Sequence, residues 1–289
     1  MAFKRSLGLR NKLLGTTVNI VTNGDFEDNV DGWSSTNITI AKSSSGEGFT
    51  GNYAAQFTTA SATGCTVYKD IETKVGRRYT FSCALRNVDA TNIFVKLGTN
   101  LDDDFYYTSP NHTDTTYTVY TYSFVATTDT TRITFVVTTP DANAYTAYVD
   151  TVKILDEANS IKDIFKYGYI TIYGNSSQPA EASDAVPAGA TKLVTITNNG
   201  GSTGITFGDA SNGVISKTPS EVWSGQAVAS GTATWFRLSS YGDNTLQDFT
   251  AERIDGSIAT TGAELNMSNT SIVNQAVQTI TIFDISIAS

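Results

Sequence analysis

The 289-residue chain holds one histidine, two cysteines, two methionines and five prolines. A catalytic triad or a histidine-ligated zinc site needs imidazole, and His112 alone supplies it. Two cysteines exclude multi-cysteine zinc or iron–sulfur sites and a disulfide-stapled mini-fold. Charged residues make up 16%, against roughly 25% in an average soluble domain. Their balance is acidic, 28 Asp and Glu against 19 Lys and Arg for a net charge of −9. That sign argues against nucleic acid or an anionic membrane as the main partner. No apolar run approaches the roughly 20 residues of a spanning helix. Absent too are a Gly-x-Ser-x-Gly elbow, a phosphate-binding glycine loop and a metalloprotease helix, so no enzyme motif stands out.

What remains is ample for packing: 40% hydrophobic and 11% aromatic residues, over a length that suggests about two domains at ~150 residues each. Residues 1–15, MAFKRSLGLRNKLLG, fail as a signal peptide because Arg10 and Lys12 interrupt the apolar stretch. At helical period Phe3, Leu7, Leu9, Leu13 and Leu14 gather on one side and Gly15 is a stop, which predicts a short basic amphipathic helix. From Val18 the pattern turns to β, with runs rich in Val, Ile, Thr, Tyr and Phe separated by Gly, Asn, Asp and Ser. A helical interruption follows over 157–167, with Ile161, Ile164 and Phe165 on one face, and a second β series runs from Tyr169. Pro179 and Pro187 bracket a long connection, and no internal repeat relates the two series. The expected fold is all-β, two antiparallel β-sandwich domains with short helices at the N-terminus and near 157–167.

The first β series opens with Asn23-Gly24-Asp25-Phe26-Glu27, continues to Gly32-Trp33 and closes on Tyr148-Val149-Asp150. In this order and spacing it resembles the jelly-roll carbohydrate-binding modules attached to cellulases and xylanases. A second, split resemblance joins residues 1–15 to about 158–287. It is carried by Trp223-Ser224-Gly225, Trp235-Phe236-Arg237 and Arg253-Ile254-Asp255-Gly256, and it is similar to small structural proteins of tailed-bacteriophage virions. Together they imply a jelly roll, residues 17–156, inserted into a virion-anchoring β-domain of residues 1–16 plus 157–289.

The module resemblance places Asp25 and Glu27 on the opening strand beside Asp150 on the closing one, three hard-oxygen donors for a structural calcium ion. Turn-forming acids without metal are the plainer reading. Asp102, Asp103 and Asp104 adjoin Phe105, Tyr106 and Tyr107. Acids beside aromatics suit a sugar, which has apolar faces and polar edges; the same run also reads as a solvated hairpin tip. Tyr68, Tyr106, Tyr107 and Tyr120 are the glycan candidates. A hairpin centred on Lys74 would set Cys65 opposite Cys83 on one face, within disulfide reach. In a reducing cytosol the pair would start as thiols. Trp33, Trp223 and Trp235 are expected in cores, and His112 in a solvated loop. Arg237 and Arg253 are expected to pair with Asp255 or Glu252.

The functional expectation is a non-enzymatic virion protein, made in host cytoplasm and carried on the particle exterior. Capsid decoration or a head-associated place is favoured, with the major capsid protein and further copies of the chain as partners. The inserted module would hold surface glycans weakly, gaining by multivalency. The alternatives are a tail-associated receptor-binding protein and a secreted bacterial carbohydrate-binding protein.

Overall fold

The computed structural model describes residues 3–15, 17–100 and 103–286, so Asp102 lies outside the described residues. The chain divides into two compact units, Met1–Thr16 with Ala158–Ser289, and Thr17–Glu157. It opens with β1 (Lys4–Arg5) and α1 (Leu7–Leu13). The unit of residues 17–157 follows with β2 (Val18–Asn19), β3 (Ser34–Thr36), β4 (Ile38–Lys42), β5 (Ala55–Thr59), β6 (Cys65–Glu72) and β7 (Arg78–Asn87). Its remaining strands are β8 (Asn92–Gly98), β9 (Tyr107–Thr108), β10 (Thr118–Val125), β11 (Thr130–Thr138) and β12 (Thr146–Asp156). Next come α2 (Ile161–Ile164), β13 (Tyr169–Gly174), β14 (Thr191–Asn198), β15 (Val214–Ser216), β16 (Trp223–Gln226) and β17 (Gly231–Ser239). The chain closes with β18 (Arg253–Ala259), β19 (Leu265–Asn266), β20 (Ser271–Ile272), β21 (Val277–Ile280) and β22 (Asp284–Ser286). Neither helix is long and apolar enough to cross a membrane.

In residues 17–157 two antiparallel sheets enclose one core. One has the order β10-β7-β12-β5-β4, with β2 on β12; the other runs β3-β6-β11-β8-β9. Period-two alternation decides which side chains go in. On β7, Tyr79, Phe81, Cys83 and Leu85 are buried while Thr80, Ser82 and Arg86 keep some exposure. They meet Val67, Val95, Phe57, Phe135 and Val149 in the same cluster.

The expected hairpin through Lys74 is not formed. β6 pairs with β3 and β11, whereas β7 pairs with β10 and β12, so the turn between them passes the chain from one sheet to the other. Cys65 therefore sits opposite Val137 and Cys83 opposite Tyr120, and both are free, buried thiols. Two strands joined by a short turn read alike whether they pair or face each other across a core. Burial pushes the Cys83 thiol up, so it is held protonated. His112 also departs from expectation: it is buried, paired through its backbone with Ile93, with Nε2 3.2 Å from the Thr116 carbonyl.

In the other unit a sheet runs β1-β18-β17-β13-β14-β16-β21, with β19 beside β18 and β20 beside β17. The N-terminal strand belongs to it, because Lys4 aligns with Asp255 and Arg5 with Ile254. Ser6 then caps α1, accepting from Leu9 N at 3.2 Å and donating to the Ala251 carbonyl at 2.5 Å. The helix is shorter than expected, and Leu14 is 85% exposed. The buried side is Gly8, Leu9 and Lys12, since a Cβ at Gly8 would lie 2.2 Å from the Thr250 carbonyl oxygen. α2 is a single turn capped by Ser160, with Ile161, Ile164 and Phe165 buried.

One sheet face packs Ile170, Ile172, Phe236, Leu238 and Ile254 into an apolar core with Trp223. Alternate residues on the same strands build a polar second layer. Arg237 forms two 2.8 Å bonds to Asp255, both fully buried, and donates to the Asp184 carbonyl at 3.0 Å. Arg253 pairs with Asp243, not Glu252, through bonds of 2.8 and 2.5 Å. Glu252 is next to Arg253 in the strand direction and so points the other way. Tyr173 stacks on Trp235 at 4.4 Å in this layer, and all three tryptophans are buried. The long connection between the prolines supplies the Asp184 carbonyl that the Arg237 guanidinium needs.

Removing one member of a buried ion pair leaves the other charge unpaired. Arg237→Ala is expected to destabilise the chain by about 3–5 kcal/mol, read by chemical denaturation. Arg253→Ala is expected to cost a comparable amount, since Arg253 and Asp243 are buried too.

Candidate functional site

The outer face of the sheet β4-β5-β12-β7-β10 carries one row of side chains fixed by strand register. Ala41 aligns with Gln56, Gln56 with Tyr148 and Tyr148 with Arg86. Tyr117 enters β10 beside this position, because the next residue, Thr118, aligns with Leu85. The row forms because Ala147 and Val149 face the core, which turns Tyr148 outward. The Arg86 guanidinium lies 4.2 Å over the Tyr148 ring and 5.1 Å from the Tyr117 ring. It also forms an ion pair with Glu47, and its buried Nε has no partner among the described residues.

A loop from β4 to β5 overhangs one end of the row. Tyr117 OH donates to the Glu47 carbonyl at 2.7 Å, and the exposed Phe49 ring lies 5.5 Å from that of Tyr117. The loop is held from below by two carboxylates. Asp150 accepts from Phe49 N at 2.8 Å, Thr50 N at 3.0 Å and Thr151 N at 2.6 Å. Glu27 accepts from Asn52 N at 2.9 Å and Tyr53 N at 3.0 Å. Between them Gly51 has φ of +72°, and a Cβ there would lie 2.3 Å from Glu27 Oε1. Both the left-handed φ and this close approach favour glycine.

Electrostatics mark the same cluster. Burial raises the Tyr117 hydroxyl, with Arg86 opposing and Asp150, Glu47 and Tyr148 adding to the rise. Burial likewise raises Tyr148, with Glu47 contributing. The Asp150 carboxyl is raised by burial, against its amide donors, and raised further by the charge of Glu27. Rings, a guanidinium, an amide and a carboxylate converging on one solvent-facing row can stack on an apolar face and bond to hydroxyl edges.

The four tyrosines expected to bind sugar do not form one site. Tyr106, Tyr107 and Tyr120 are brought together, but on the flank where β9 and β10 end their sheets. Tyr107 stacks on Tyr122 at 4.4 Å, Tyr106 packs on Phe124 at 4.8 Å, and Tyr120 OH is 3.3 Å from His112 Nδ1. Tyr106 OH is engaged by Thr127. These rings close the rim of the core. Tyr68 stands apart on the outer face of the other sheet, with Arg132 4.5 Å from its ring. The acids nearby cap turns: Asp103 accepts from Thr99 N and Thr99 Oγ1, both at 2.7 Å, which holds its carboxyl below the usual range.

Among the described residues no group of three or more His, Cys, Asp or Glu side chains is placed to hold a metal ion. The expected trio is reduced to Glu27 and Asp150. Asp25 is exposed, because Phe26 beside it takes φ of 54° and buries its ring completely. Of the row itself, Tyr148 was visible in the sequence only as a family mark. Gln56, Arg86 and Tyr117 carried no signal beyond alternation, and it is cross-strand register that joins them.

The unit is thus a jelly-roll β-sandwich with an aromatic and polar row on one outer face. Residues 18–149 match a protein-family model described as "Carbohydrate binding domain". No curated protein matches the chain. Among solved structures, "Family 16 Carbohydrate Binding Module-2" is 17% identical over 47% of this chain and 99% of that one, with a TM-score of 0.37. The CBM22-1 xylan-binding domain of Paenibacillus barcinonensis Xyn10C is 14% identical over 50% of this chain and 97% of that one, TM-score 0.39. The enzymatically active domain of bacteriophage CBA120 tailspike protein 4 is 14% identical over 47% of this chain and 21% of that one, TM-score 0.37.

Asp150→Asn should cost about 1–3 kcal/mol, the range for a lost partner of groups held away from water, and Glu27→Gln less, because its Asn52 amide is exposed. Amide exchange should rise at residues 49–53. The folded Asp150 carboxyl has a raised pKa, so the folded chain keeps that proton to higher pH than the unfolded one. Its contribution to stability is therefore fully present below the ordinary carboxylate value and declines as pH rises through the raised one. The stability gap between wild type and Asp150→Asn should narrow across that window, as followed by melts at successive pH values.

Proposed function

We propose that residues 17–157 form a glycan-binding module whose ligand lies along the row Gln56, Tyr148, Arg86 and Tyr117, under Glu47 and Phe49. The observation that carries this reading is the register that sets Arg86 between two tyrosine rings on a solvent-facing sheet. The match of residues 18–149 to the carbohydrate-binding family model supports it. Arg86 is already paired with Glu47, so the row presents little net charge and favours a neutral sugar. The binding is non-enzymatic in this proposal: the ligand is held, and its bonds are left intact.

A structural calcium ion at Glu27 and Asp150 belongs to the same proposal. Two carboxylates gripping one loop, one of them the Asp150 carboxyl that burial raises, are hard-oxygen donors of the kind such a cation takes. Calcium would then stiffen the loop that carries Glu47 and Phe49. Addition of calcium should raise the melting temperature of the wild type but not of a Glu27→Gln, Asp150→Asn double variant. An equal melting temperature with calcium and with chelator excludes the ion.

For the whole chain we propose a structural role on the exterior of a tailed-bacteriophage particle, capsid decoration being favoured. The unit of residues 1–16 and 158–289 would anchor to the major capsid protein, and the glycan module would be displayed in many copies. Support comes from the split resemblance at Trp223-Ser224-Gly225, Trp235-Phe236-Arg237 and Arg253-Ile254-Asp255-Gly256. Labelling of intact particles with antibody to this chain is the test, with signal expected over heads; signal confined to tails contradicts decoration. A glycan array with the full chain should show sugar binding weakened at least ~10-fold by Tyr148→Ala, equivalent to about 1.4 kcal/mol. Unchanged binding by that variant places the ligand elsewhere.

A further inference from the structure

Asparagine is followed by glycine three times in the chain, at Asn23-Gly24, Asn199-Gly200 and Asn212-Gly213. In this dipeptide the glycine nitrogen can attack the asparagine side-chain carbonyl carbon, because no Cβ on the following residue blocks the approach. In sequence the three pairs are alike; in the structure they are not.

Asn23 is locked. Its Nδ2 donates to Asn29 Oδ1 at 2.7 Å and to the Asp31 carbonyl at 3.1 Å, and its own carbonyl accepts from Trp33 Nε1 at 3.1 Å. Gly24 is buried, and its carbonyl accepts from Val152 N at 2.8 Å. The other two pairs stand on exposed turns. Asn199 and Gly200 take φ of 57° and 63°, and Asn212 and Gly213 take 51° and 76°, the left-handed pair that a type I′ turn requires. Among the described residues nothing bonds to the Asn199 or Asn212 side chain. The attack requires the asparagine to leave its left-handed conformation, so each site reacts only as often as its turn opens.

The two exposed turns are fastened differently. The tip at 211–214 closes through the Ser211 and Val214 backbones, at 2.8 and 3.0 Å, and nothing lies within 4 Å of where a Gly213 Cβ would stand. Asn199 donates its own N–H to the Val222 carbonyl at 2.7 Å, and Gly201 N reaches the Asn198 carbonyl at 3.1 Å. A Cβ on Gly200 would lie 3.7 Å from Gly225 Cα. Opening therefore costs least at Asn212.

We propose that Asn212 is a site of spontaneous conversion to isoaspartate in the folded chain, with Asn199 following more slowly and Asn23 protected. Gly213 N bonds to Asn212 Cγ, the Cγ–Nδ2 bond breaks, and ammonia leaves with the Gly213 amide proton. Water then opens the cyclic imide. Cleavage of nitrogen from the backbone carbonyl carbon gives isoaspartate; cleavage from Cγ gives aspartate. Isoaspartate lengthens the main chain by a methylene and adds a carboxylate at the tip. Val214, two residues on, aligns with Ser286 in the pairing of β15 with β22, so the longer turn displaces that end of the ladder. Neither the glycan row nor the virion assignment enters this proposal.

The test is peptide mapping by mass spectrometry of the folded full chain, aged in mildly alkaline buffer beside a denatured sample. In the folded chain Asn212 should convert at least ~10-fold faster than Asn23, the spread that unequal local opening imposes on rates, with Asn199 between them. In denaturant the three sites should convert at similar rates. Asn212→Gly keeps the left-handed turn and should leave conversion at Asn199 unchanged. Hydrogen exchange at residues 284–286 should rise on ageing in the wild type and stay constant in that variant. Asn23 keeping pace with Asn212 in the folded chain overturns the proposal. So does an Asn212 that stays intact there while Asn199 converts, or while the denatured sample converts.

Discussion

The outer-face site depends on what Asp150 does beneath it. That carboxylate sits two residues beyond Tyr148 on β12 and binds the amides of Phe49, Thr50 and Thr151. It fixes the loop that puts Glu47 on Arg86 and Phe49 against Tyr117. Glu27 grips the next two amides of the same loop. Without these bonds the row would remain on its strands, but its overhang would lose the geometry that makes a face into a seat. The cost is a carboxylate taken out of water, visible in the raised Asp150 carboxyl, to which the charge of Glu27 adds.

The all-β class was legible because its physics is local. Alternation in segments such as Tyr79-Thr80-Phe81-Ser82-Cys83 announces a half-buried strand wherever it occurs. Sheet membership is not local. β6 and β7 are consecutive and both alternate, yet they belong to opposite sheets, so the Cys65–Cys83 register had no basis in pairing. Tyr106, Tyr107 and Tyr120 were conspicuous as an aromatic cluster, and they do cluster, but with their hydroxyls and rings committed to Thr127, Tyr122 and His112. Gln56, Tyr148 and Arg86 are distant in sequence and become a row only when three strands align. His112 misled for a related reason: a polar turn sequence says nothing of a backbone bridge to Ile93.

The split unit solves a different problem. Its large sheet has one apolar face and one face of alternating charged and aromatic residues. That second face is stable only because Arg237 and Arg253 each find a carboxylate and backbone carbonyls from a long, proline-bracketed connection. Buried pairs of this kind fix geometry more than they add stability. The N-terminal strand completes the same sheet by aligning residue 4 with residue 255, a contact that only a returning chain can make. At the far edge, among the described residues, β21 pairs with β16 alone.

The central claim is that the row on the six-stranded sheet, not the tyrosine flank, holds the ligand. Backbone amide shifts of the full chain, titrated with a neutral oligosaccharide that scores on the array, test it most directly. The account predicts the largest changes at residues 47–50, 56, 86, 117 and 148, with the flank at 106, 107 and 120 still. Changes confined to that flank, or to the Tyr68 face, would contradict it.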